Sequence, residues 1–99
     1  MYRWHVALQT DAVLSAASRD LLQTPFVDEG GGTSFYSYGW AIFQTGRGTT
    51  LQAHNGGNGI FFADMHRYVD EDAVLFVTSS AGRRDATQIS SDIAALMFE

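Results

Sequence analysis

The stretch Leu51-Gln52-Ala53-His54-Asn55-Gly56-Gly57-Asn58-Gly59 decides how the rest of this chain is organised. Short apolar runs that are typical of strands lie on both sides of it, and helical patterns lie at the two ends of the chain. A histidine, an asparagine and two glycines at a strand edge let another group approach bare backbone, because no Cβ stands in the way. The alternative interpretation is a flexible hairpin turn, since Asn-Gly and Gly-Gly are strong hairpin signals.

The composition predicts a single folded domain over residues 1–99. The chain is 45% hydrophobic and 17% charged, which is typical of a globular protein and not of a disordered one. It contains no cysteine. A disulfide framework, a thiolate nucleophile and a zinc ribbon are therefore excluded, and the compartment stays open.

The charge of the chain bears on its partners. The formal net charge is −5, and Arg83-Arg84 is the one basic cluster. Both facts argue against nucleic acid or an anionic membrane as a partner. The sequence has no apolar run of roughly 18 residues and no signal-peptide pattern, so we expect a soluble chain whose localisation is otherwise unknown.

Strand patterns occupy the middle of the sequence. They are rich in aromatic and β-branched residues, and turn residues separate them. The runs are Tyr38 to Gln44, Thr49 to Ala53, Ile60 to Tyr68 and Ala73 to Val77. The last run is apolar without alternation, which predicts that it is covered on both faces at the centre of the sheet. We therefore predict an α+β fold with an antiparallel sheet of three to four strands.

Helical patterns flank the predicted sheet, giving the order helix, helix, strands, helix. The first follows the apolar stripe from Met1 to Leu8, and the second runs from Ala16 to Gln23 behind Ser15 as its N-cap. The closing helix begins at Asp85, which forms a predicted capping box with Gln88. Residues 27–34 contain three glycines and are predicted to be a loop. Because no capping residue precedes the first helix, we expect a piece cut from a longer protein.

A combination of motifs links this chain to a known family. Tyr38-Gly39-Trp40 is followed by His54-Asn55-Gly56-Gly57, an aromatic-rich strand, Val74-Leu75-Phe76-Val77 and a helix that runs to the end. This order resembles the C-terminal region of the serine β-lactamase and penicillin-binding-protein superfamily, nearest the class C β-lactamase-like esterases and peptidases. The resemblance extends over nearly the whole chain. It implies a partial β-lactamase-like fold and the C-terminal lobe of a serine hydrolase.

The resemblance also implies roles for four residues. His54 stands where the family has the Lys or His of its third motif, which orients the substrate and supports proton traffic. Gly57 stands where a backbone N–H completes the oxyanion hole. Asn55 and Gly56 would contact a small-molecule or peptide ligand at the strand edge, with Gly56 keeping that edge open. From the residues by themselves, a single histidine on a strand is more often a surface or hydrogen-bonded structural residue than a catalytic one.

The remaining family motifs are absent. The sequence has no lysine, and so no Ser-x-x-Lys nucleophile, and Tyr36-Ser37-Tyr38 does not supply the Tyr-x-Asn or Ser-x-Asn motif. In the family both motifs belong to a helical domain that precedes this region. The three histidines together with Asp64 do not form a convincing metal site, so we expect neither a metal nor a cofactor. Whether the chain is an enzyme is left open, and we expect it to be inactive in isolation.

A second hypothesis comes from a different class of function. Aromatic and aliphatic residues fall on both parities of the predicted strands, so both faces of the sheet need to be covered. The closing helix covers one face, and the short opening helices are expected to cover at most part of the other. On this hypothesis, the chain is a non-catalytic domain that binds another protein or a second copy of itself. We expect a homo-oligomer, joined through the sheet face or by an exchanged terminal helix, or else a complementing helical domain.

Overall fold

Every strand of the sheet pairs with the strand that precedes or follows it in the sequence. A computed structural model describes residues 1–81 and 83–98, in which three helices flank one antiparallel sheet of six strands. The elements are α1 (Tyr2–Gln9), α2 (Ala16–Gln23), β1 (Val27–Asp28), β2 (Phe35–Ser37), β3 (Trp40–Gln44), β4 (Thr50–Gly57), β5 (Phe62–Tyr68), β6 (Ala73–Ser79) and α3 (Arg83–Met97). The predicted α+β class is confirmed, and the predicted strand number was too low.

The two unpredicted strands, β1 and β2, precede the run that the sequence pattern identified. They contain only two and three residues, which is too short for a periodic pattern to be detected. The glycines between them form the connecting loop, and the Asp28 carboxylate accepts hydrogen bonds from the N–H groups of Gly30 and Gly32. The loop prediction was therefore right between the two strands and wrong for Val27 and Asp28.

The strand β6 lies at an edge of the sheet, so the prediction that it forms the centre was wrong. Its unbroken apolar sequence has another cause. Leu75 is buried on the face that α3 covers, whereas the neighbouring Phe76 points to the other face and is 44% exposed. An apolar run therefore marked a strand with one well-covered face and one partly open face.

The helix boundaries follow their local signals at α2 and depart from them at α3. The Ser15 hydroxyl accepts a hydrogen bond from the Ser18 N–H, as predicted for an N-cap. Helix α3 already begins at Arg83, so Asp85 lies inside its first turn and does not cap it. Gln88 instead donates to the Asp92 carboxylate at 2.8 Å.

The helices cover both faces of the sheet. Side chains alternate between faces along each strand. On one face, residues of α1 and α2 contact the row formed by Gln52 and Arg67, and α3 packs over β5 and β6 on the other. Within the described ranges, no helix is both long and apolar enough to cross a membrane.

A buried arginine connects α1 to the sheet. Arg67 is 2% exposed, and its guanidinium donates to His5 Nδ1 at 3.3 Å, to Gln52 Oε1 and to Gln9 Oε1 at 3.0 Å. Burial lowers the pKa of Arg67, and the charge of Asp72 partly opposes that shift. Because Arg67 donates to Nδ1, a neutral His5 carries its proton on Nε2, which lies 3.1 Å from the Asp72 carboxylate. The centre of the interface between α1 and the sheet is therefore occupied by a hydrogen-bonded arginine.

Candidate functional site

The strand β4 runs past the end of its neighbour β3. Pairing between them ends at Ala41 and Ala53, whereas pairing between β4 and β5 continues to Gly57 and Phe62. The segment from His54 to Gly57 therefore has a partner strand on one side only. The predicted strand ended at Ala53, so the structure adds the whole His54 motif to the strand.

A tight turn explains why β3 stops at this point. Tyr38 and Gly39 connect β2 to β3 and both have positive φ angles, 45° and 88°. Positive φ at both central residues is typical of a type I′ hairpin turn, where glycine is favoured because it lacks a Cβ. The turn reverses the chain before β3 can pair with the His54 motif, which leaves an open strand edge.

Backbone groups of β4 point alternately to its two sides. The Thr49 carbonyl points to the β3 side, where it accepts from the Thr45 N–H. The Thr50 carbonyl points to the β5 side, where it accepts from the Val69 N–H. Since the direction alternates along an antiparallel strand, the N–H groups of Asn55 and Gly57 point to the open side, and that of Gly56 points to β5. A ligand at the open edge can thus reach two parallel N–H donors. The role implied for Gly57 requires this direction.

The two glycines of the motif differ in their surroundings. A Cβ on Gly57 would lie 2.9 Å from the Phe61 carbonyl oxygen and 3.1 Å from the Phe62 ring, so any other residue there would force the turn to shift. A Cβ on Gly56 would meet nothing within 4 Å. Packing of the β4–β5 turn therefore explains Gly57 without a ligand. The open space beside Gly56 leaves room for a ligand along the open edge of β4.

His54 is exposed and lies between two clefts. Its Nε2 is 3.1 Å from the Tyr36 hydroxyl. A cleft of about 630 Å³ opens on the α3 side and includes Tyr36, and one of about 430 Å³ opens on the α1 side and includes Trp40. The imidazole borders both clefts because it lies just beyond the point where pairing between β3 and β4 ends. A hydrogen-bonded, accessible histidine agrees with the structural interpretation and with the catalytic one.

Asp64 and His66 lie on one face of β5, and the structure explains how these polar side chains are accommodated. Asp64 is 3% exposed, and its carboxylate lies 3.1 Å from His66 Nε2. His66 Nδ1 lies 3.4 Å from the Tyr68 hydroxyl, and burial raises the pKa of Tyr68, so that hydroxyl keeps its proton and can donate it. The residues alternate along β5, and this period of two could have identified them as sharing one face.

Metal ligation and nucleophilic chemistry are not evident in this region. Among residues 1–81 and 83–98, no three His, Cys, Asp or Glu side chains come close enough together to hold a metal ion. No lysine occurs in the chain to activate a serine in the Ser-x-x-Lys manner. The described site is therefore a strand edge with two N–H donors and one histidine.

Comparisons with known proteins bear on the fold. No family model matches the chain, and no curated protein matches it. A crystal structure of a penicillin binding protein from Bacillus halodurans is similar to it, with a TM-score of 0.79 and 21% sequence identity over 92% of this chain. At that identity the likeness shows the fold, which is like that of a penicillin-binding protein. The chain spans 27% of that protein's length.

Proposed function

We propose that this chain is the C-terminal lobe of a serine hydrolase of the β-lactamase and penicillin-binding-protein type, nearest the class C-like esterases and peptidases. It carries half of a site for a β-lactam, peptide or ester carbonyl. The observation that carries the proposal is the open edge of β4 from His54 to Gly57, in a fold like that of a penicillin-binding protein. The nucleophile then comes from a separate helical domain.

The chemistry of the edge suits a carbonyl substrate. The Gly57 N–H points to the open side and acts as an oxyanion-hole donor, a type of group worth about 2.7–4 kcal/mol of transition-state stabilisation. Asn55 and Gly56 form the wall along which the substrate lies. His54 orients the substrate and supports proton transfer at the serine. None of these groups requires a metal or a cofactor.

The experiment that tests the proposal has two arms. The isolated chain, which lacks Ser-x-x-Lys, hydrolyses neither a chromogenic β-lactam nor a p-nitrophenyl ester above a heat-denatured control. Turnover that depends on the native fold would contradict this. In the second arm, the genomic reading frame upstream of the Met1 codon is sequenced. An in-frame Ser-x-x-Lys and Tyr-x-Asn support the proposal, and a stop codon with a promoter refutes it.

A second candidate function is self-association, and the edge strand β6 favours it. This strand presents seven residues without a charged side chain, and the other edge strand has only two residues. Free edges of this kind pair readily with another strand. A second copy is the fitting partner because a two-fold axis at Phe76 places two uncharged strand edges against each other. On α3, Ile89 and Leu96 are also exposed.

Sedimentation equilibrium over a concentration series tests this second function. We expect a dimer that Phe76→Glu dissociates, because the substitution places two like charges face to face across the axis. The matched control is Phe61→Glu, at a residue that is 61% exposed and outside the edge strand. A strictly monomeric mass at about 100 μM, well above the nanomolar to micromolar range of stable interfaces, would exclude self-association.

A further inference from the structure

Tyr36 reaches His54 across an intervening strand. Tyr36 lies on β2 and His54 on β4, yet the Tyr36 hydroxyl is 3.1 Å from His54 Nε2, and the ring centroids are 6.2 Å apart at an angle of 59°. The residues paired with Tyr36 along its row are Ala41 on β3 and Ala53 on β4. Two such small side chains leave room for a tyrosine ring to extend over β3. No signal in the sequence links residues 18 positions apart on strands that are not neighbours.

The hydrogen-bonding chemistry of the pair favours one arrangement. A neutral imidazole has one donor and one acceptor nitrogen. A phenol hydroxyl is a stronger donor than a neutral imidazole N–H, and an imidazole nitrogen is a stronger acceptor than a phenol oxygen, so the 3.1 Å contact favours donation from Tyr36 to His54 Nε2. When that hydroxyl donates to Nε2, the imidazole proton lies on Nδ1. In general, the hydrogen bond made by one ring nitrogen of a histidine determines whether the other nitrogen carries the proton.

We propose that Tyr36 is the positioning residue of His54: its hydroxyl donates to Nε2, holds the imidazole as the Nδ1–H tautomer, and leaves that N–H as the donor available to a ligand at the open edge of β4. The relevance of this Tyr36–His54 arrangement to catalysis rests on the proposed function. A neutral histidine needs a partner to fix which nitrogen donates, and Tyr36 supplies it.

Long-range ¹⁵N–¹H correlation spectra of the folded, ¹⁵N-labelled chain at neutral pH test the proposal. We expect an unprotonated Nε2 and a protonated Nδ1 at His54. In Tyr36→Phe the two nitrogens should shift towards the values of a solvated imidazole, in which both tautomers are populated. The control is Tyr38→Phe, which removes an exposed hydroxyl from the adjacent turn and should leave the His54 signals unchanged.

Two further observations keep the test decisive. Ala41→Leu fills the space over β3 and should produce the same shifts as Tyr36→Phe, while the signals of His5, which is buried beside Arg67, serve as an internal reference. A protonated Nε2 in the unmodified chain, or equal His54 spectra with and without the Tyr36 hydroxyl, would overturn the proposal. Because the readout needs no turnover, the absence of an upstream Ser-x-x-Lys would refute the proposed function and leave the Tyr36–His54 pairing standing.

Discussion

Replacing Arg67 by methionine removes three side-chain hydrogen bonds, two to His5 and Gln9 of α1 and one to Gln52 of β4. Two of the acceptors left behind, Gln52 Oε1 and His5 Nδ1, belong to side chains that are 0% and 1% exposed. A buried group left without its partner costs about 1–3 kcal/mol. Methionine fills part of the space, and the cost of burying the cation disappears with the charge. We therefore expect the free energy of unfolding to fall by about 2–4 kcal/mol.

Thermal and urea unfolding followed by circular dichroism measure this change. For a chain of this size the expected loss corresponds to a fall of roughly 10–25 °C in Tm. The matched control is Arg3→Met, because Arg3 is an exposed residue of α1, and its effect should stay within about 0.5 kcal/mol. An Arg67→Met variant as stable as the unmodified chain would refute the reasoning. It would mean that burying the guanidinium costs as much as its hydrogen bonds contribute.

Three further predictions concern β4 and its surroundings. Gly57→Ala should lower the free energy of unfolding by about 1–3 kcal/mol, because its Cβ meets the Phe61 carbonyl at 2.9 Å, whereas Gly56→Ala should be nearly neutral; equal effects in urea unfolding would contradict this. Hydrogen bonds from Thr49 and then Arg47 lower the pKa of Glu71 below its usual 4.5. The contribution of Glu71 to the free energy of unfolding is therefore complete above pH 4.5 and is lost as the pH falls through the lower pKa of the folded state. Glu71→Gln should therefore destabilise the chain at pH 7 and less so below that folded pKa, which unfolding at both pH values would reveal. In a parent protein with an upstream Ser-x-x-Lys, His54→Ala should lower kcat/KM by about 10²-fold or more, and an unchanged rate would make His54 structural.

Much of the fold was predictable because its signals act over a few residues. Ser15 and Pro25 bracket α2, and the observed helix has the predicted bounds. Aromatic and β-branched runs identified β3 and β5. The resemblance-based choice of His54 selected a residue that lies at the open strand edge, although its catalytic role stays a prediction. The roles of Asn55, Gly56 and Gly57 stay predictions as well.

The sequence by itself determined the α+β class and the order of the elements, since side-chain period, caps and turn residues act locally. Tertiary structure decided the rest. The places of β1 and β6 depend on which strands find partners, and a short or apolar strand carries no mark of the edge it will occupy. The hydrogen bond of the buried Arg67 to His5, and that between Tyr36 and His54, likewise join residues far apart in the chain. Hydrogen bonds of that kind exist only once strand pairing has fixed the register, so no local pattern encodes them.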